Sequence, residues 1–297
     1  MSDSLFEEIQ MYRRHLHQHP ELSFEEYHTA DFIEEKLRKI GIENIQRIAK
    51  TGVTFLLEGS RPGKNIALRA DIDALPILEK NQIDYKSKHE GIMHACGHDV
   101  HTSCLLGVAK ILYQLKSEFK GSVKFIFQPG EEKTPGGASL LIKEGILEDP
   151  IPETILGQHV MPFIEVGKVG FRPGKYMASS DEIYLTIEGK GGHAAMPEKL
   201  VDPVIITSHI LIALQQIVSR KSSPKTPSVL SFGNISGKGA TNVIPDFVDV
   251  AGTFRTFDEK WRAEALLLIT QMAEGIAASM GAKCKVRIEK GYPFLFN

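Results

Sequence analysis

The sequence predicts an α/β fold in two parts: a first domain with a mostly parallel central sheet, then a smaller α+β domain. Three observations predict it. Helix and strand patterns alternate through the first half of the chain, which implies a sheet covered on both faces. Beyond Met177 the strands read as half-buried, and the elements follow the order β-α-β-β-α-β. Polar residues with ligand chemistry collect just past the ends of the first-domain strands, where open α/β sheets place their sites.

Each element has a local reason. Residues 4–18 read as a helix. Ser23 with Glu26 reads as a capping box opening a second amphipathic helix that stops near Gly41. Val53 to Glu58 and Asn65 to Ala70 read as strands, and a helix is expected from Asp99 to Leu115. Val123 to Phe127 and Thr154 to Leu156 are short apolar strands. Further on, Ile183, Leu185 and Ile187 alternate with Tyr184, Thr186 and Glu188. Asp202 caps a helix that has Pro203 at its first position. Strands are expected at Val229 to Ile235 and Asp246 to Thr256, a helix from Glu259 to Met280, and a last strand around Cys284, Val286 and Ile288. The domains expected are 1–180, 181–290, and the start of a return to the first domain at 291–297.

Composition narrows the function. Lys and Arg number 35 against 37 Asp and Glu in 297 residues, so the basic footprint of a nucleic-acid binder is missing. No unbroken apolar run reaches the roughly 18 residues of a membrane span, and Ser208 and His209 interrupt the best one. The acidic N-terminus is no secretory signal, and three scattered cysteines make no disulfide framework, so a cytoplasmic location is expected.

The chemistry lies in a few short segments. Asp71 and Asp73 follow one strand, Glu131 and Glu132 another, and His159 a third. His94-Ala-Cys96-Gly-His98-Asp-Val-His101 precedes a helix, where a thiol loses its proton more easily and becomes a metal ligand. Thiolate, imidazole and carboxylate together suit Zn, Mn, Co or Ni better than Mg or Ca. Of Glu131 and Glu132, one can hold a metal while the other takes a proton from water; alone, the pair also reads as a solvated turn. Cys96 alone also reads as a small buried hydrophobe. His94 and His101 read as supporting groups, with a ligand role left open.

The motifs RRHLHQHPELSFEE (13–26), LRADIDALP (68–76), HACGHDVH (94–101), FQPGEE (127–132), GQHVMP (157–162), GKGGHAAMP (189–197), TNVIPD (241–246) and GTFRTFD (252–258) stand in this order. Through them the chain resembles the metallopeptidase family of aminoacylase and carboxypeptidase G, most of all its amidohydrolase branch. That branch includes hippurate hydrolase, N-acetyldiaminopimelate deacetylase and the auxin-conjugate hydrolases. The resemblance implies a zinc-peptidase-like catalytic domain with an inserted ferredoxin-like lid and dimerisation domain. It implies two divalent ions held by Cys96, His98, Glu132 and His159, with Cys96 suited to bridge them. Glu131 becomes the general base, Asp71 the carboxylate that orients the metal shell, and His193 the oxyanion stabiliser, often across a dimer interface. Asn242 and Arg255 become substrate contacts, Arg255 for a carboxylate. The implied reaction is hydrolysis of the amide bond of an N-acyl amino acid by a homodimer.

One departure from the family's pattern is expected to matter. Relatives return to the first domain and supply a further C-terminal histidine ligand, whereas this sequence ends at Asn297, just after GYPFLFN. Truncation at the C-terminus is therefore expected. The alternatives are a dipeptidase or carboxypeptidase of the same family, or a non-catalytic metal- or ligand-binding remnant.

Overall fold

The structure, a computed structural model, describes residues 2–297. The chain divides into two compact units, Met1–Lys168 and Val169–Asn297. The first contains α1 (Ser2–Gln18), α2 (Tyr27–Ile40), β1 (Gln46–Ile48), β2 (Gly52–Glu58), β3 (Arg61–Asp71), α3 (His98–Gln114), β4 (Lys120–Gln128), α4 (Gly137–Lys143) and β5 (Thr154–Gly157).

Its five strands lie in the order β1-β2-β4-β3-β5. The β4-β3 and β3-β5 pairs are parallel, but β1-β2 and β2-β4 are antiparallel. The expectation of a mostly parallel sheet is thus corrected to a mixed one. A strand buried on both faces reads the same in either direction, so its sense is not written in its own residues. The reversal falls at Gly59-Ser60, whose N–H groups bond to Gly121 and Phe119 while the chain crosses the start of β4.

β4 is the buried centre. Val123, Phe125 and Phe127 face Ile33 and Leu37 of α2 and Leu105 and Leu106 of α3, and Phe125 stacks on Phe55 with ring centroids 4.5 Å apart. Ile126 turns to the opposite cluster with Leu141 and Ile146. Lys124, also buried, donates its ammonium to the carbonyls of Ile146, Glu148 and Pro150. Those bonds compensate its burial and fix the turn that leads into β5.

The second unit contains β6 (Lys175–Met177), β7 (Asp181–Glu188), β8 (Gly192–His193), α5 (Pro203–Gln216), β9 (Ser228–Ser236), β10 (Val243–Ile244), β11 (Phe247–Thr256), α6 (Glu259–Ser279), β12 (Lys283–Lys290) and β13 (Leu295–Phe296). Four long strands form an antiparallel sheet in the order β12-β7-β11-β9. Ile183, Leu185 and Ile187 pack under Ile206, Ile210 and Leu214 of α5 and Ile269 and Ala273 of α6. Asp202 caps α5 as its sequence position requires, accepting from the N–H groups of Val204 and Ile205. Arg262 grips Asp181 through two nitrogens, tying α6 to the start of β7.

The boundary between units falls before Met177 because β6 pairs with β13, and Gly174 and Asn297 exchange backbone bonds. Residues 291–297 accordingly lie with the second unit. The helical stretch Pro203–Lys221 is long and apolar enough, by length and composition, to cross a membrane. It is longer than the apolar run that Ser208 and His209 interrupt because the helical stretch continues through Arg220 to Lys221. Ile206, Ile210, Leu214 and Ile217 are buried in the core of this unit, where an amphipathic core helix puts its apolar side.

Candidate metal centre

Three parallel neighbours end on the same side of the first sheet, because β3 pairs in parallel with both β4 and β5. Asp71 closes β3 and Asp73 follows it; Glu131 and Glu132 come just beyond β4; His159 lies two residues past β5. α3 starts beside them, and Thr102 in its second turn donates to the Asp71 carbonyl. Gly97 precedes α3 with φ 84°, and a Cβ there would lie 2.4 Å from Val160 Cγ2. Only glycine suits both the left-handed backbone and that close approach.

The expected ligands converge. Donor atoms of Cys96, His98 and His159 lie within 4.8 Å of one another, and so do those of His98, Glu131 and Glu132 and of Asp71, His98 and His101. His98 belongs to all three groups and is 1% exposed. Cys96 Sγ is 3.3 Å from His159 Nε2, and His98 Nε2 is 4.0 Å from Glu132 Oε1.

Both imidazoles are turned for ligation. His98 Nδ1 lies 2.9 Å from the Asp73 carbonyl and His159 Nδ1 2.8 Å from the Val160 carbonyl. A carbonyl can only accept, so each Nδ1 carries a proton, and a ring that gives up any proton on Nε2 presents that lone pair to the cluster. Backbone or carboxylate partners of this kind orient metal-binding histidines.

Residues outside the expected set complete the surroundings. Asp73 Oδ2 accepts from Ser23 Oγ at 2.7 Å and from the Glu132 N–H at 2.9 Å, while its Oδ1 lies 3.2 Å from His98 Nδ1. Arg69 pairs with Asp71 and donates to Gln128. Asp99 Oδ2 takes both Arg13 Nε and His17 Nδ1 at 2.8 Å, and His17 Nε2 faces Glu79 Oε1 at 3.2 Å. The sequence noted Asp73 only for its place after a strand. The spacing of Arg13 and His17, one helical turn apart, could have signalled a shared partner.

The field of the site favours a cation. Burial works against charge on His98, but Asp73, the Cys96 sulfur and Asp71 outweigh it and raise its pKa to about 11. The bond to His159, then the nearby His98 ring, holds the Cys96 thiol below its ordinary value, and Cys96 in turn raises His159. Burial first, then Asp71 and Glu132, push the Glu131 carboxyl up to about 7. His101 is the neutral member: burial, then His159 and His98, lower it to about 3. Its Nε2 accepts the Val160 N–H, so it supports the His159 loop.

A divalent ion fits these residues. The donors are sulfur, nitrogen and oxygen, and among the described residues His98 Nε2 and Glu132 Oε1 are buried without a hydrogen-bond partner.

His193, Asn242 and Arg255 lie in the second unit. His193 sits on β8 opposite Val243 of β10, and the Ala194 N–H donates to the Asn242 carbonyl, so these two stand side by side. Arg255 is exposed on β11, opposite Val229 of β9.

Comparison with known proteins identifies the family. Residues 67–297 match peptidase family M20/M25/M40. The chain is 41% identical over 295 residues to an N-acyl-L-amino acid amidohydrolase of Geobacillus stearothermophilus, covering 99% of this chain and 79% of that protein. It is 45% identical over 285 residues to an N-acetyl-L-cysteine deacetylase of Bacillus subtilis, covering 96% and 68%. The crystal structure of a dinuclear metal-binding peptidase of the M20 family from Bacillus subtilis superposes with a TM-score of 0.81 at 37% identity, covering 99% and 76%. The chain belongs to peptidase family M20/M25/M40. It is a metallohydrolase of amide bonds, as the amidohydrolase names among these relatives indicate.

The raised values predict proton release on metal binding. At pH 7 the metal-free His98 holds a proton on Nε2, and ligation expels it; His159, also raised, contributes in the same direction. Calorimetric zinc titrations at pH 7, in buffers of different ionisation enthalpy, should report about one to two protons released per ion, with affinity rising as pH rises. A binding enthalpy independent of the buffer would rule out this charge state.

Proposed function

We propose that the chain hydrolyses the amide bond of N-acyl amino acids at a centre of two divalent ions, with Zn, Mn, Co or Ni the suited metals. Cys96, His98, Glu132 and His159 would hold the metal. The observation that carries this reading is the three donor groups sharing His98, with Glu131 beside the ligand set at a carboxyl value of about 7.

Bound metal supplies Lewis acidity for the amide carbonyl and lowers the pKa of water from 15.7 to about 7 on zinc. The chain's residues do the rest. Glu131 takes the proton of the attacking water; a carboxyl value near neutrality suits both that step and return of the proton to the leaving amine. Asp71 and Asp73 hold the surrounding shell, Asp73 through His98 and the Glu132 N–H.

The second unit supplies recognition in this reading. Its β-α-β-β-α-β succession with strand order β12-β7-β11-β9 supports a ferredoxin-like, inserted lid and dimerisation domain. β9 and β12 are its edges, and edge pairing is a simple route to a symmetric homodimer. His193 steadies the oxyanion, and Asn242 and Arg255 bind the substrate, the guanidinium gripping its carboxylate through two hydrogen bonds.

Four outcomes test the assignment. Metal-loaded protein should cleave members of an N-acetyl and N-benzoyl amino-acid panel and lose activity on chelation. Glu131→Gln should keep its metal and lose about 10²–10⁴-fold in kcat; equal metal loss in Glu131→Gln and Glu132→Gln would show the pair misassigned. Arg255→Lys should raise KM for acyl amino acids far more than for their amides, and an unchanged acid-to-amide preference removes Arg255 from the site. Mixing His193→Ala with Glu131→Gln should restore part of the activity if each site borrows its histidine from a partner chain. No recovery in a mixture shown to have exchanged subunits would exclude that arrangement.

A further inference from the structure

Most of the PELSFEE segment (20–26) has no place in the reaction above, and its first-glance role fails. Ser23 and Glu26 do not form a capping box. α2 starts at Tyr27 with Glu26 as its N-cap, and no side chain caps it. Both side chains point elsewhere. Ser23 Oγ donates to Asp73 Oδ2 at 2.7 Å, and the same oxygen accepts the Glu132 N–H at 2.9 Å. Glu26 is fully buried; its Oε1 accepts the Gly130 N–H at 2.7 Å and its Oε2 the Thr51 hydroxyl at 2.6 Å. Between them, the Phe24 ring closes over Gly130, where an added Cβ would lie 2.3 Å from Phe24 Cε1. The two N–H groups that flank Glu131 are therefore each held by a carboxylate, Gly130 by Glu26 and Glu132 by Asp73, which Ser23 holds in turn.

Backbone strain gathers at the same place. Among the described residues, three that are not glycine adopt positive φ: Phe24 (67°), Ala49 (48°) and Lys50 (74°). Phe24 lies inside the segment, and Ala49-Lys50 form the turn that delivers Thr51 to Glu26. Such conformations are costly and persist where surrounding structure over-determines them.

We propose that Ser23, Phe24 and Glu26, braced by Thr51, form a clamp that sets the Gly130–Glu132 bend and so positions Glu131 and Glu132. The inference deepens the metallohydrolase reading and rests on it for what those two carboxylates do. Ser23, Glu26 and Thr51 are positioning residues and touch neither metal nor substrate. The clamp has two arms with different consequences. The Glu26 arm holds the N-terminal side of Glu131 and governs turnover. The Ser23 arm acts through Asp73 on Glu132 and His98 and governs metal affinity. Glutamine can replace Glu26, its oxygen accepting from Gly130 and its amide donating to Thr51 Oγ. Burial already raises the Glu26 carboxyl above its ordinary value, which brings the neutral amide close to it in character.

The experiment compares wild type, Glu26→Ala, Glu26→Gln and Ser23→Ala in the full chain. Three quantities are read: hydrogen exchange of peptides spanning 128–137, cobalt(II) affinity from visible absorption, and kcat and KM per cobalt-loaded site. Glu26→Ala should speed exchange at 128–137 by about 10-fold or more with no matching rise in α5. It should also lower kcat by about 10-fold or more with KM and cobalt affinity little changed. Glu26→Gln should restore both. Ser23→Ala should weaken cobalt binding by about 10-fold and spare kcat at saturating metal. The clamp is overturned if exchange at 128–137 stays at the wild-type rate in both alanine variants, or if Glu26→Gln is as impaired as Glu26→Ala. It is also overturned if the variants lose only thermal stability while per-site kcat and cobalt affinity hold. A wild-type chain that neither binds cobalt nor cleaves an acyl amino acid would sink the hydrolase reading, while the exchange comparison would still decide on the clamp.

Discussion

The buried carboxylate of Asp73 is the point on which the centre depends. Its Oδ2 joins Ser23 and the Glu132 N–H, its Oδ1 faces the His98 ring, and its backbone carbonyl takes the proton of His98 Nδ1. Residues 23, 73, 98 and 132 come from four separate parts of the chain. Burial pushes this carboxyl up, yet the bonds from His98, Glu132 and Ser23 more than cancel that effect and leave it lowered. A group buried and charged at once is stable only when all its partners are in place. The strand end, the helix start and the acidic bend are consequently set together, and the folding of the first unit and the shape of its site are one problem.

The same balance explains the charge of the cluster. Asp71 is buried, and burial raises its carboxyl against the pull of Arg69. Glu131 is raised beside it, and His98 is forced to keep its proton. Without a metal, the proton on His98 supplies positive charge beside these carboxylates. A divalent ion satisfies the same requirement at fixed positions, which is why such a site can bind tightly and still release protons as it does so. Asp99 repeats the arrangement one residue beyond His98, with Arg13 and His17 as its cations. α1 is thereby tied to the start of α3, and the segment carrying Cys96 and His98 is held at its far side.

Much of this was readable from residues alone, and the failures have physical causes. Alternation in Ile183–Ile187 and the apolar run Val123–Phe127 identified their strands because burial acts locally on each side chain. Asp202 identified a helix start because its partners, the N–H groups of Val204 and Ile205, are neighbours in sequence. The ligand residues were legible because sulfur, imidazole and carboxylate at strand ends have few structural uses in common. Ser23 and Glu26 were misread because the same two side chains can satisfy either a local helix end or distant groups, and tertiary partners won. The direction of β2 was misjudged because pairing sense depends on a crossing at Gly59-Ser60 that leaves no periodic signal. The partners Asp99 and Glu79 escaped because a buried ion network has no spacing rule across more than one element, although Arg13 and His17 share one helical face.

The adjacency of Glu131 and Glu132 shows why such a loop needs outside support. In a strand, neighbouring side chains point to opposite faces, and they could not both approach His98. A regular helix would bring its own hydrogen bonds but would turn the two carboxylates apart. The chain uses a bend instead, and both residues lie within 4.8 Å of His98 by their donor atoms. A bend has no ladder, so its N–H groups must find acceptors elsewhere or carry the cost of burial unpaired. Gly130 finds Glu26 and Glu132 finds Asp73, both carboxylates, which accept more strongly than a neutral carbonyl. The demand for two unlike functions on successive residues thus dictates an irregular backbone. The irregular backbone in turn dictates buried acids, from before α2 and after β3, that take no part in the reaction themselves.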